Sequence, residues 1–172
     1  ASPFDNEIVV GNTDRAISVA AQKRLNVALK NAIRASEDED LAEKDLAGYT
    51  VYSDGKSIAL VWTSDYGAAL VLDYFKENFV FDGLVLEEGY SKTVTFSITG
   101  YLEERANKMK EDAWAALAAQ LPADKSEEII TSLKTLYGLY SADVVDWLAN
   151  LYDPGVGGFY FSYSARDNEG FL

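Results

Sequence analysis

The sequence predicts an α+β fold, in which a small β-α-β-β-α domain with a few-stranded sheet precedes a helical segment. In the first half, short β-branched runs alternate with stretches whose apolar residues recur at helical spacing. In the second half, the helical spacing dominates. We therefore expect a small α/β domain over residues 1–90. Residues 91–172 should form a strand plus a helical region, compatible with the start of a larger, truncated domain.

The first predicted elements are a strand and a long helix. Residues 7–11 are a β-branched run closed by glycine, and residues 12–14 offer three polar side chains that suit a helix cap. The helix should run to about Ala35. The acidic residues that follow, within 36–40, are unfavourable at a helix C-terminus, so they predict a solvated loop.

A β-hairpin is the clearest local signal in the chain. Residues 48–52 and 57–62 read as strands, and the turn at 53–56 has Asp54 and Gly55 at its centre. This pair readily takes the positive φ angles that a tight hairpin turn requires. Alternate side chains of the second strand should share one face: Ile58, Leu60 and Trp62.

A second helix and further strands should complete this domain. An apolar stripe predicts a helix over residues 67–79. The runs at 84–86 and 93–98 read as strands that either extend the sheet or form a separate hairpin around residues 87–90.

The remaining chain up to residue 151 should be helical. Apolar spacing predicts helices over residues 101–120, 126–136 and 141–151. Pro122 and Pro154 mark the ends of the first and the last of them.

Composition excludes several classes of partner and chemistry. The net charge of -13 repels phosphate backbones, so we expect no nucleic-acid partner, and no apolar run is long enough for membrane insertion. The chain contains no histidine and no cysteine, which removes imidazole-assisted nucleophiles and the usual zinc ligands. We therefore expect no metal and no cofactor, and any catalysis would use carboxylate, tyrosine, lysine or arginine side chains.

Two acidic clusters have the residue types of a cation or catalytic site. Asp38, Glu39 and Asp40 lack the spacing, the turn glycine and the distal glutamate of a calcium loop, which favours a solvated loop. Glu87 and Glu88 are adjacent, so on a strand they would point to opposite faces and could not flank one glycosidic bond. A hairpin turn is the favoured interpretation there.

The last twenty-one residues carry the densest set of candidate site residues. Three glycines precede an aromatic run, and charged residues follow shortly before the chain stops. Tyr160 and Tyr163 could stack on sugar rings or act in proton transfer, with Arg166 neutralising a uronate carboxylate and Asp167 beside it. The structural alternative is that the aromatic residues are core and that Arg166 forms an ion pair. We expect this segment to depend on further chain.

Two segments carry a resemblance to known families. The strand ending at Val10-Gly11, the Gly48-Tyr-x-Val hairpin with Asp54-Gly55, and the segment from Gly67 to Phe75 are similar to the small α/β domain that precedes the catalytic module in β-hexosaminidases and α-glucuronidases. Residues 152–160 resemble an entry into the helical toroid of heparinase II/III-like polysaccharide lyases. The resemblance implies a non-catalytic scaffold region of an extracellular or cell-surface bacterial protein. Its signal peptide would already be removed, and its partner would be a downstream domain of the same protein.

Two alternatives from other functional classes stay open. The chain could be a carbohydrate-binding module that contacts polysaccharide through exposed aromatic residues: Trp62, Tyr66, Tyr90 and Tyr163. It could also hold part of the active site of a polysaccharide lyase or glycoside hydrolase, built on Tyr160, Arg166 and Asp167.

Overall fold

The fold is mixed helix and sheet, which confirms the α+β class predicted from the sequence. The structure, a computed structural model, describes residues 7–81 and 87–159. It divides into two compact units between Tyr101 and Leu102, and each unit is described separately below.

The first unit contains a four-stranded mixed sheet. Its strands are β1 (Ile8–Val10), β2 (Leu46–Asp54), β3 (Ile58–Trp62) and β4 (Glu88–Ser97). They lie in the order β1-β3-β2-β4, with β1 parallel to β3 and the other two pairings antiparallel. The helical elements of the unit are α1 (Ala16–Arg34), α2 (Glu39–Asp45), α3 (Asp65–Phe75) and a π-helical segment, Lys76–Phe81, after α3.

The sheet is covered on both faces. On one face, Ile17, Ala21 and Leu25 of α1 form a core with Val9, Ala59 and Val61. On the other face, Val71 of α3 forms a core with Tyr49, Val51 and Leu60, as the alternation of strand side chains requires. Ile58 and Trp62 pack on this second core, so the predicted face shared by Ile58, Leu60 and Trp62 is confirmed.

The hairpin prediction is also confirmed. β2 and β3 pair antiparallel, with Ser53 opposite Ile58, and Gly55 has a φ of 86°. Asp54 holds the turn, because its Oδ1 accepts hydrogen bonds from the backbone N–H groups of Lys56 and Ser57 at 3.0 and 2.8 Å.

The start of α1 differs from the prediction. None of residues 12–14 caps the helix: Arg15 is the N-cap residue, and its side chain makes no capping hydrogen bond. The connection from β1 is held instead by the buried hydroxyl of Ser18, which donates to the carbonyl of Gly11 and accepts from the N–H of Thr13, both at 3.0 Å. A serine inside the helix therefore anchors the segment that leads into it.

The acidic loop prediction was wrong for half of its residues. Glu39 and Asp40 form the first turn of α2, which the sequence reading missed, and Asp38 caps that helix by accepting from the N–H of Leu41 at 2.9 Å. The physical reason is the position of the charges: acidic side chains are unfavourable at the end of α1 but favourable at the start of the next helix.

β4 extends the sheet, which is the first of the two alternatives given for residues 93–98, and the predicted strand over residues 84–86 lies outside the described residues. It begins at Glu88, so the expected turn is not the turn of a separate hairpin, but a turn is present at the start of the strand, where the N–H of Tyr90 donates to the carbonyl of Glu87 at 3.2 Å. Gly89 still has a positive φ of 80°, and the β2–β4 register shifts between Tyr52 and Asp54, next to this point. Gly89, the glycine that suggested a turn, therefore marks an irregularity in the strand.

The second unit is helical, as predicted. It contains most of α4 (Ile98–Ala118) together with α5 (Ser126–Tyr137) and α6 (Ala142–Leu151). Trp114, Leu117, Val145 and Leu148 form its buried core, and one side of α5 packs against it. A short hairpin follows, with β5 (Tyr152–Asp153) paired to β6 (Gly158–Phe159). Within the described residues, none of the helices is both long enough and apolar enough to cross a membrane.

Candidate functional site

In the first unit, two carboxylates have lowered pKa values, and the first of them is Asp54. The pKa of Asp54 lies below its usual value, chiefly because the N–H of Ser57 donates a hydrogen bond to its carboxylate. This carboxylate belongs to the hairpin turn, so its charge stabilises the backbone of the turn.

Asp45 is the second carboxylate with a lowered pKa. The hydroxyl of Ser97 donates to it and is the main cause of the shift, with further donors from the hydroxyl and the N–H of Thr99 at 2.6 and 2.9 Å. Ser97 Oγ in turn accepts from the N–H of Gly100 at 2.9 Å. Asp45 therefore joins the end of α2 to the first turn of α4, a role that the sequence reading did not assign to it.

Tyr90 lies in an aromatic cluster on the α3 side of the sheet. Its hydroxyl is 2.6 Å from that of Tyr74, and its ring meets Phe79 edge to face at 5.6 Å. Burial, and then the hydrogen bond with Tyr74, raises the pKa of Tyr90 to about 12. Tyr49, which is buried beside Tyr74, also has a raised pKa because of its burial. Sequence reasoning missed Tyr74; only its place on the inward stripe of α3 could have indicated it.

Trp62 ends β3 and is half-buried. It packs on the core of the α3 face, and the backbone at Gly11 lies against the edge of its indole ring. Its backbone carbonyl accepts a hydrogen bond from the side-chain amide of Asn12 at 2.9 Å.

Tyr66 stands in the first turn of α3 and is also half-buried. Its ring lies 5.6 Å from that of Tyr101, which is 5.8 Å from Phe96 of β4. Tyr66 therefore belongs to a three-ring contact that covers the end of the sheet.

The structure does not bring Trp62 and Tyr90 together. Trp62 is opposite Tyr49, which is opposite Val94, whereas Tyr90 lies four residues earlier on β4, near the hairpin turn. With a rise of about 3.3 Å per residue and about 4.8 Å between strands, their backbones are roughly 16 Å apart. Trp62 and Tyr66 flank the same β3–α3 connection, so these two are the nearer pair.

The other candidates lie outside the described residues: Tyr160, Tyr163, Arg166 and Asp167. Their roles stay predictions. Within the described residues, no group of three acidic, histidine or cysteine side chains is placed to hold a metal ion.

In the helical unit, a shallow groove of about 380 Å³ runs between α4 and the α5–α6 connection. Met109, Leu139 and Tyr140 line it, and all three side chains are exposed. Beside the groove, the side-chain ammonium of Lys110 donates a hydrogen bond to the carbonyl of Gly138 at 3.2 Å.

The chain matches no protein-family model, and no curated protein and no solved structure matches it significantly. The resemblance to the N-terminal domains of glycan-degrading proteins therefore stays a prediction.

Proposed function

We propose that this chain is a non-catalytic scaffold region of an extracellular bacterial polysaccharide-processing protein. The observation that carries the proposal is that the groups with shifted pKa values in the first unit make contacts that hold the fold. Asp54 holds a turn, Asp45 holds the start of a helix, and Tyr90 shares a hydrogen bond inside an aromatic cluster. Catalytic acids and bases have shifted pKa values because they serve a reaction, whereas these groups serve the fold.

The glycan-processing context comes from the sequence resemblance alone. It concerns residues 7–80, within which the described elements run in the order strand, helix, short helix, hairpin and helix. In the resembled families this domain positions a catalytic module. The proposed partner is accordingly a downstream domain of the same protein.

The first test is a search for turnover and binding with the isolated chain. We expect no product from uronic-acid polysaccharides or chromogenic glycosides, and no saturable shifts of amide signals when glycan fragments are added. Product that disappears in Tyr160→Phe or Asp167→Asn would replace the scaffold with the partial active site.

The carbohydrate-binding alternative is favoured by one observation, the position of Trp62 and Tyr66 on either side of a single connection. Saturable glycan binding that is lost in Trp62→Ala but kept in Trp147→Ala, a tryptophan of the helical unit, would establish this alternative. Both variants need a wild-type melting profile, since Trp62 also packs on the sheet core.

A further inference from the structure

β4 is a long strand at the edge of the sheet. It is ten residues long, whereas the opposite edge strand β1 has three, and among residues 7–81 and 87–159 β4 pairs only with β2, through eight residue pairs. Edge strands of soluble proteins are usually short or carry charges, prolines or bulges that prevent pairing with another chain. β4 has such protection near its start, where Glu88, Lys92 and the irregular register lie. Its second half, residues 93–97, carries no charge and no proline.

The side chains of this second half are arranged for pairing on both faces of the sheet. Val94 packs on the α3-side core, and the Thr93 hydroxyl lies 2.8 Å from that of Thr50 on the α1 side. By alternation, Phe96 shares the face of Val94, and Thr95 and Ser97 share the face of Thr93. All five residues are half-buried.

We propose that β4 pairs with β4 of a second copy of this chain, antiparallel, about a two-fold axis at Thr95. This register places Val94 opposite the partner's Phe96, Thr93 opposite the partner's Ser97, and Thr95 opposite the partner's Thr95. Pairs of β-branched with aromatic residues and pairs of hydroxyl residues are those that stabilise antiparallel sheets. The two four-stranded sheets then form one eight-stranded sheet.

Lys92 selects this register over its neighbours. An axis at Lys92 would set two like charges opposite each other, and an axis at Thr93 or Val94 would set Lys92 opposite Val94 or Phe96. Only the axis at Thr95 pairs the five uncharged residues among themselves and leaves Lys92 outside.

The pairing is expected to be weak and to depend on salt. Five residues of strand span only about 17 Å, which is small for a stable interface. Each copy also carries a net charge of -13, and the repulsion between copies is screened more strongly as the ionic strength rises. Salt should therefore strengthen the association, the opposite of its effect on a charge-driven complex.

The absence of cysteine allows a test of the register itself. In Thr95→Cys the two introduced thiols face each other across the axis, with Cα atoms about 4.5–5.5 Å apart, which a disulfide can bridge. In the matched control Thr93→Cys the thiol is on the same face, but it lies about 13 Å along the strand from its counterpart. We expect mild oxidation to give a covalent dimer with Thr95→Cys and monomer with Thr93→Cys.

Sedimentation equilibrium over a concentration series supplies the second readout. The wild-type chain should dimerise more tightly in high salt, and Thr95→Lys should weaken dimerisation by about fivefold or more through repulsion at the axis. Thr95→Ser, which keeps a small hydroxyl side chain, serves as the control. A monomer at every concentration would overturn the proposal, as would equal crosslinking of the two cysteine variants. A dimer unaffected by Thr95→Lys would assign the association to another surface.

Discussion

Gly48 of β2 is a position where one added carbon should be costly. A Cβ there would lie 2.5 Å from the carbonyl oxygen of Val94 and 3.0 Å from Cδ1 of Leu25. The first of these atoms is backbone of the neighbouring strand β4, and the second is a fully buried side chain of α1. Neither can yield without a movement of the strand or of the helix.

The magnitude of Gly48→Ala follows from two opposing effects. Overpacking of a well-packed core costs about 1–3 kcal/mol, and a contact this short with fixed backbone belongs at the upper end. Alanine also has less conformational freedom than glycine in the unfolded chain, which stabilises the folded state by roughly 0.5–1 kcal/mol. We expect a net loss of about 2 kcal/mol in the free energy of unfolding, which for a unit of this size lowers Tm by roughly 10 °C.

Urea denaturation followed by far-UV circular dichroism measures this loss, and hydrogen exchange of the β2 amides reports on the α/β unit alone. Gly158→Ala is the matched control, because a Cβ at Gly158 meets no atom of the described residues within 4 Å. A Gly48→Ala variant as stable as the wild-type protein would refute the close approach of β2 to β4 and α1.

Three further predictions concern the hairpin, the Asp45 carboxylate and the tyrosine pair. Gly55→Val should lower the free energy of unfolding by about 1 kcal/mol or more, because φ is 86° and a Cβ would lie 2.9 Å from Cβ of Glu88; an unchanged urea midpoint would contradict the turn. The lowered pKa of Asp45 means that its contribution to stability is complete above the unfolded pKa of about 3.9 and is lost as the pH falls through the folded value. Urea midpoints between about pH 6 and pH 2 should therefore fall less steeply in Asp45→Asn, and parallel curves would argue against this role. The pKa of Tyr90 is raised to about 12, first by burial and then by its hydrogen bond with Tyr74, so its neutral form contributes stability that is complete below about pH 10 and is lost as the pH rises through 12. Absorbance titration of Tyr90→Phe should lack one late-ionising tyrosine, and an unchanged late phase would exclude Tyr90 as its source.

Local signals in the sequence predicted the elements that local chemistry determines. The hairpin was evident because an adjacent Asp54 and Gly55 between two apolar runs are typical of a tight hairpin turn. The starts of α5 and α6 were close to prediction because the amphipathic spacing begins there, although the N-cap residues Lys125 and Ser141 make no side-chain capping hydrogen bond. The end of α3 was not, because the chain continues as a π-helical segment that brings Phe79 onto Tyr74 and Phe75. Such a change of helix type depends on tertiary packing and leaves no simple pattern in the sequence.

Distant partners were the part that the sequence could not supply. Nothing near Asp45 in the sequence indicates its role, because its hydrogen-bond partners lie more than fifty residues away. The sequence predicts that Trp62, Tyr66 and Tyr90 are exposed aromatic residues, but all three are half-buried against other rings or the sheet core. Residue type predicts which side chains are able to bind a sugar, and only packing decides which of them are accessible.

The order of strands in the sheet has a consequence for how the chain folds. β2 and β3 are joined by a turn of a few residues, so their pairing closes a short loop and should form within microseconds. β1 reaches β3 only after about fifty intervening residues, and β4 reaches β2 after about forty. The entropy of closing those loops has to be overcome before their contacts contribute. We expect the hairpin to be largely formed in the folding transition state, with both edge strands joining late. Substitutions in the β2–β3 turn should then slow folding, and substitutions in β4 should mainly speed unfolding.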